Sequence, residues 1–213
     1  YISNPSELGT VYSRAEMIVL SDYCRDNDLL LYTDGARLGS ALACTESGLS
    51  LEDVYSLTDA FFIGGTKTGA LLGEALVIRT AELKKDLRYL IKQRGALLAK
   101  GRVLGVQFEE LFRDNLYFKL AAHANEMAQC MAAGLADSGC TFWIDSPTNQ
   151  IFPIMEDSVI EEMSRKFDFY VWEKMDGNKS AIRLVTSWAT STEKVKGFVE
   201  AYKTARRDLM MAL

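Results

Sequence analysis

Two short apolar runs, each ending in a polar segment, constrain this chain more than any other feature. Residues 29–32 (Leu-Leu-Leu-Tyr) lead into residues 34–37 (Asp-Gly-Ala-Arg), and residues 60–63 (Ala-Phe-Phe-Ile) lead into residues 64–69 (Gly-Gly-Thr-Lys-Thr-Gly). Such runs predict buried strands. Because ligands of open α/β sheets bind beyond the carboxyl ends of the strands, these two polar segments mark a predicted binding edge.

Strands alternate with helices in the first part of the chain, which predicts a largely parallel sheet with helices on its faces. Ser13 and Glu16 have the spacing of a capping box at the start of the first helix. The predicted strands are 29–33, 59–63 and 73–78, and the predicted helices are 13–27, 37–44 and 51–57.

From Thr80 onwards the pattern changes to three helices and then to an α+β block, with Gly139 as a helix stop. The helices are predicted at 80–93, capped by Thr80, at 102–113 and at 116–138. The block has strands at 141–144, 150–155, 169–174 and 181–188, a helix at 157–166, and a last helix from Ser191 or Thr192 to the end. We therefore expect the C-terminal part of a large α/β domain over 1–110 and a small α+β domain over 111–213.

Composition excludes several classes of protein. The 213 residues are 48% apolar and carry a net charge of −5 without a long basic run, which argues against nucleic-acid binding. No apolar run approaches the roughly 20 residues of a membrane-spanning helix. The four cysteines form no CxxC pair, so we predict no metal site, and reduced thiols in a cytoplasmic protein.

The chain starts at Tyr1 without an initiator methionine, a signal peptide or a basic leader. Its first residues resemble the end of a strand entering a loop. We therefore expect a fragment, or a processed chain, whose earlier part is absent.

Lys67 and Asp34 are the candidate chemical groups at the binding edge. Alternatively, Lys67 is a solvated loop residue and Asp34 a turn residue. A phosphate-binding loop does not fit, because the lysine follows Thr66 and no glycine precedes it in the required register. An amine and a carboxylate at neighbouring strand ends suit pyridoxal phosphate, whose carbonyl needs an amine and whose ring nitrogen needs an acid.

Two arginines have alternative interpretations. Arg37 is either a surface residue or a donor to the cofactor. Arg183 lies in an apolar strand, either at an edge with a solvated head or facing inward as a ligand for a carboxylate. His123, the only histidine, is predicted to have a structural role. This argues against a catalytic mechanism in which a histidine activates a serine or cysteine nucleophile.

Several segments together resemble the threonine aldolase / β-eliminating lyase family, and the subgroup most similar is the bacterial low-specificity L-threonine aldolase type. Their order and spacing run through nearly the whole chain, and the combination is more specific than any one segment. The segments are 31–38, 64–67, 95–105, 149–153 and 182–188.

The resemblance implies fold type I of the pyridoxal-phosphate enzymes, and homodimers or homotetramers with shared sites. It implies that Lys67 forms the Schiff base, Asp34 pairs with the pyridine nitrogen, Arg37 and Thr66 contact the cofactor, and Arg183 holds the α-carboxylate of a small amino-acid substrate. The implied reaction is cleavage of L-threonine or L-allo-threonine to glycine and acetaldehyde.

The chain also departs from the family pattern. Tyr32 stands where family members often have histidine, and the family's ring-stacking histidine and phosphate-binding glycine–threonine loop lie upstream of the matched region. The chain alone is therefore expected to be an incomplete catalyst. The alternatives are another fold type I lyase or aminotransferase, and a non-catalytic relative that retains the fold.

Overall fold

The computed structural model describes residues 1–211, which form two compact units. The first unit contains Tyr1–Ser6 and Val11–Ala121, and the second contains Glu7–Thr10 and the chain from Ala122 onwards. Each unit has its own sheet and its own apolar core. The sequence-based boundary after residue 110 concerns the domains of a whole enzyme and stays a prediction.

A four-stranded sheet organises the first unit. Its strands, in spatial order, are β1 (Ile2–Ser3), β2 (Tyr32–Asp34), β3 (Ala60–Gly64) and β4 (Glu74–Ile78). β2 is parallel to both β1 and β3, whereas β4 is antiparallel to β3. The prediction of a mostly parallel sheet is confirmed, and the carboxyl ends of β2 and β3 lie at the same edge.

The first helix of this unit begins where the local signal predicts. The Ser13 side chain accepts a hydrogen bond from the Glu16 N–H, and the Glu16 carboxylate accepts one from the Ser13 N–H. Leu38 and Val54, from two of the helices, share an apolar core with Phe61 from β3. The helices are α1 (Arg14–Asp26), α2 (Leu38–Leu42), α3 (Leu51–Leu57), α4 (Leu87–Gln93) and α5 (Arg102–Phe112).

The predicted buried strand at 29–33 is wrong in its first part, because Leu29 and Leu30 are 52% and 57% exposed. The Leu29 N–H donates to the Cys24 carbonyl and so closes the end of α1. The Leu31 N–H donates to the Asp59 carboxylate. Ladder pairing therefore starts only at Tyr32.

The predicted helix at 80–93 is interrupted. A 3₁₀ turn occupies Ala81–Lys84, and Asp86 then takes a left-handed conformation with φ of +55° before α4 begins. Thr80 does not cap, because its hydroxyl donates to the Asp59 carboxylate instead. The break follows from this competing hydrogen bond and from the left-handed residue.

The second unit contains an antiparallel sheet and the helices that pack on it. Strand β9 (Lys179–Val185) pairs with β8 (Tyr170–Met175), β7 (Pro153–Glu156) and β6 (Gln150–Ile151), and β7 also pairs with β5 (Thr141–Phe142). The predicted strand at 150–155 is divided at Phe152, and the one predicted at 181–188 ends at Val185.

Three helices pack on this sheet through a core that includes Leu135, Met155, Ile182 and Phe198. They are α6 (Leu116–Ala136), which enters from the first unit, α7 (Asp157–Ser164) and α8 (Thr192–Met211). The last two residues of the predicted final helix lie outside the described residues. No helix within residues 1–211 is both long and apolar enough to cross a bilayer.

Candidate active site

Asp34 is the last residue of β2, and its carboxylate is held on both oxygens. Oδ1 accepts a hydrogen bond from the Ala36 N–H at 3.0 Å, and Oδ2 accepts one from the Tyr1 hydroxyl at 2.9 Å. The side chain is half-buried. A carboxylate fixed in this way at a strand end is an oriented acceptor for a ligand.

Two tyrosines flank this carboxylate. The Tyr1 ring stacks on the Tyr32 ring, with centroids 5.7 Å apart. Burial, and after it the negative charge of Asp34, raises the pKa of Tyr32 to about 12. The Tyr32 phenol therefore stays protonated near neutral pH, which makes it a hydrogen-bond donor rather than a base.

Lys67 follows β3 in a single 3₁₀ turn, Thr66–Thr68. The turn ends at Gly69, whose φ of +104° disfavours other residues. The Lys67 side chain is exposed. Within residues 1–211, its amine makes no hydrogen bond and no ion pair, so it is available to a ligand.

The segments that carry Asp34 and Lys67 touch each other. The Gly64 N–H donates to the Gly35 carbonyl at 2.9 Å. A Cβ at Gly35 would lie 1.9 Å from the Phe62 carbonyl oxygen, and a Cβ at Gly64 would lie 2.2 Å from the Ala36 carbonyl oxygen. Both glycines are therefore required for the close approach of the two strand ends.

Tyr117, at the start of α6, adds a second link between these segments. Its hydroxyl accepts from the Gly39 N–H at 3.0 Å and donates to the Gly64 carbonyl at 3.1 Å. The residue is 1% exposed, and this burial raises the pKa of Tyr117 to about 12. The hydroxyl thus remains protonated and can serve both partners.

Four of the five predicted site residues lie in these two joined segments. Arg37 is half-buried directly before α2, in the same loop as Asp34, and Thr66 is exposed beside Lys67. The structure places all four at the carboxyl edge of β2 and β3, as the sequence predicts. Their individual roles stay predictions.

Arg183, the fifth residue, lies on β9 in the second unit. Its side chain is 13% exposed, so it is an inward-facing arginine and not a solvated edge residue. Its Nη2 donates to the buried Gln150 Oε1, and its Cζ lies 5.1 Å from the centroid of the Trp172 ring. This arrangement suits a ligand for an anion.

Sequence reasoning did not identify Tyr1 or Tyr117 as part of the site. Tyr1 reaches Asp34 because β1 pairs with β2, and Tyr117 reaches Gly39 across 78 positions of the chain. No local pattern signals either contact. His123, predicted to be structural, has its Nε2 2.8 Å from the Thr190 carbonyl oxygen.

Comparisons with known proteins match this chain to lyases and aldolases. The family model described as beta-eliminating lyase matches residues 2–158. A low specificity L-threonine aldolase from Pseudomonas aeruginosa is 31% identical over 200 residues, and one from a Pseudomonas species is 32% identical over 200 residues. Each alignment covers 92% of this chain but 56% of the relative, so the chain spans little more than half the length of these curated relatives.

Solved structures agree with the sequence matches. A threonine aldolase from Leishmania major has a TM-score of 0.94 and 47% identity, with 96% of this chain and 60% of that chain covered. A serine palmitoyltransferase from Sphingomonas wittichii has a TM-score of 0.71 at 14% identity, with 97% of this chain and 54% of that chain covered. The second likeness concerns the fold alone.

Proposed function

Because the chain belongs to the β-eliminating lyase family, we propose that its protein is a carbon–carbon lyase of the low-specificity L-threonine aldolase type. It would cleave L-threonine or L-allo-threonine to glycine and acetaldehyde. The chain has the fold of the fold type I pyridoxal-phosphate enzymes, as the resemblance implies.

One observation carries this proposal. The Asp34 segment and the Lys67 segment lie against each other at the carboxyl edge of two parallel strands, joined by the hydrogen bond from Gly64 to Gly35. A carboxylate and an amine at one sheet edge are the pair that chemistry on an amino-acid–pyridoxal adduct needs.

The residues at this edge fit pyridoxal phosphate, on which this family depends. The Lys67 amine is exposed and has no partner within residues 1–211, so it can form the covalent link. Asp34 offers a fixed acceptor to a ring N–H. That N–H would either share Oδ2 with the Tyr1 hydroxyl or take the place of the hydroxyl there. When bound, the cofactor withdraws electrons from the substrate α-carbon, so that the Cα–Cβ bond can break.

The proposed roles divide among the five residues. Asp34 keeps a proton at the ring nitrogen, where a charge pair in a shielded site is stronger than in water. Arg37 and Thr66 bind and orient the cofactor beside Lys67. Arg183 binds the substrate α-carboxylate through its guanidinium donors.

Replacement of the lysine tests the assignment. The full-length protein, supplied with pyridoxal phosphate, should release glycine and acetaldehyde from L-threonine, and Lys67→Ala should lose both this activity and the cofactor's visible absorbance band. Lys196→Ala, a change at an exposed lysine on α8, outside the proposed site, serves as the control. Keto-acid formation would identify an aminotransferase instead, and an unchanged Lys67→Ala variant would refute the Schiff-base role.

We also propose that the 213 residues do not cleave threonine by themselves, since the alignments cover only 56% of the length of these curated relatives. The isolated chain should show neither a stable absorbance band with pyridoxal phosphate nor cleavage of threonine. Observation of both would contradict this proposal.

We further propose that the protein acts in the cytoplasm as a homodimer or homotetramer with shared sites. The four free cysteines support the cytoplasmic location. A group of exposed apolar side chains on the first unit supports an oligomer, and the most exposed of them is Leu71, at 89%. One or two cations between residues 84 and 102 are candidates to reach a cofactor phosphate across a subunit boundary.

A further inference from the structure

The Arg183 guanidinium is a mostly buried cation, and among residues 1–211 no carboxylate lies within hydrogen-bond distance of it. Its side chain is 13% exposed, and the carboxylate nearest to it in the described chain belongs to Glu7, whose Oε1 lies 3.8 Å from Nη1. The Glu7 side chain is itself 70% exposed. Since a buried charge is costly unless it is paired, Arg183 is poised for an anionic ligand.

The group that holds Arg183 in place is a neutral amide. Gln150 is fully buried on β6. Its Cα partner on β9 is Val185, two residues after Arg183, so Gln150 and Arg183 are diagonal neighbours in the ladder. Arginine has only donors, so Gln150 must present Oε1 to Nη2, as it does. Its Nε2 is then left without a partner, as is the Arg183 Nε.

Trp172 supports the same guanidinium from the other neighbouring strand. The register between β8 and β9 shifts between Val171 and Glu173, so that Trp172 is the extra residue of a β-bulge. Bulges redirect side chains next to functional sites. The Trp172 ring lies 5.1 Å from the Arg183 Cζ, and Phe152 packs against it edge-on, which favours a cation–π contact that orients the cation without neutralising it.

We propose that Gln150 is a positioning residue that fixes the Arg183 guanidinium while leaving its full charge to the carboxylate of an amino-acid substrate. This inference rests on the proposed function for the identity of that carboxylate. A glutamate at this position would make a stronger bond to Arg183, but it would neutralise the cation and repel the substrate. The amide therefore determines specificity for an anionic group, although its Nε2 remains unpaired.

The test compares two ligands that differ only in charge at the carboxyl position. Glycine carries a carboxylate and glycinamide does not. Their binding to the full-length protein with pyridoxal phosphate is measured by calorimetry. In Gln150→Glu the glycine affinity should fall about 100-fold, whereas the glycinamide affinity should stay within about threefold. A merely structural defect would weaken both ligands together.

Two further variants complete the design. Gln150→Met keeps the charge of Arg183 but removes the hydrogen bond, so it should weaken glycine binding only about tenfold and raise KM for L-threonine more than it lowers kcat. Gln93→Glu adds the same negative charge at an exposed position at the end of α4, and it should change neither affinity.

The outcomes separate this inference from the proposed reaction. If the protein binds glycine with the expected order of variants but does not cleave threonine, the positioning role stands and the reaction is wrong. If threonine is cleaved but Gln150→Glu retains the preference of the unchanged protein for glycine over glycinamide, the positioning role is overturned. Absence of any glycine binding by the unchanged protein would also overturn it.

Discussion

The Tyr117 hydroxyl bridges α2, which follows the Asp34 segment, and Gly64, where the Lys67 segment begins. In Tyr117→Phe the buried Gly39 N–H and the Gly64 carbonyl lose a partner. Because such groups are costly when unpaired, we expect the free energy of unfolding to fall by about 1–3 kcal/mol, measured by urea denaturation. Tyr89→Phe, at a position 71% exposed, is the control and should change little. An equal effect of both substitutions would contradict a structural role for the bridge.

Glu7 is the carboxylate nearest to Arg183 among the described residues, so it would compete there with the anion that we propose Arg183 binds. The pair is long, at 3.8 Å, and Glu7 is mostly exposed, so its contribution is at most about 1 kcal/mol. Glu7→Gln should therefore tighten glycine binding by up to about fivefold at low salt, and the gain should vanish at high salt. Weaker glycine binding in this variant would show that Glu7 supports the site instead.

At the scale of elements, Asp59 joins the starts and ends of three strands. Asp59 lies directly before β3. Its carboxylate accepts hydrogen bonds from the Leu31 N–H at 2.8 Å, directly before β2, and from two side chains that follow β4, Arg79 at 2.8 Å and Thr80. Burial opposes ionisation, but the hydrogen bonds from Thr80 and Leu31, together with the charge of Arg79, outweigh it and lower the pKa of Asp59.

This lowered pKa makes the contribution of Asp59 depend on pH with a definite sign. The stabilisation is complete above the ordinary aspartate pKa of about 3.9 and is lost as the pH falls through the lower value of the folded protein. Asp59→Asn should cost about 1–3 kcal/mol near pH 7, and the difference in unfolding free energy should shrink below about pH 4. Asp22→Asn, in an exposed pair on α1, is the control. A difference independent of pH would refute the argument.

Elements whose signals are local could be predicted from the sequence, and those decided by distant partners could not. α3 has the predicted bounds because Ser50 and Asp53 form a capping box within four residues. The strand at 29–33 and the helix at 80–93 were mispredicted because Asp59 binds both Leu31 and Thr80 across more than 20 positions.

The same distinction applies to the candidate site. Asp34 and Lys67 could be identified because each follows an apolar run, and the position of a strand end is a local property. The bond between Arg183 and Gln150 spans 33 positions, and it depends on the ladder between β6 and β9. No single segment of the sequence determines the order of the strands. Neither the diagonal pair of Gln150 and Arg183 nor the bulge at Trp172 could therefore be predicted.

At the scale of the whole molecule, the first unit exposes a patch that we call the leucine–valine patch, made of Leu71, Leu72, Val103 and Val106. Gln107 links three of these residues, because its side chain accepts a hydrogen bond from the Leu71 N–H and donates to the carbonyls of Leu72 and Val103. The four side chains are between 45% and 89% exposed. Because exposed apolar patches can form protein–protein contacts, we propose that a second copy of the protein, in the proposed oligomer, covers the leucine–valine patch.

Leu71→Asp tests this assignment because a charge in an apolar interface loses its hydration without gaining a partner. The full-length protein should elute with the mass of two or four subunits in size-exclusion chromatography with light scattering. Leu71→Asp should shift it towards smaller species, with association weakened by about 100-fold. Val19→Asp, at a position 67% exposed on α1, adds the same charge outside the patch and should leave the mass unchanged. If Leu71→Asp also leaves the mass unchanged, the leucine–valine patch does not form the contact between subunits.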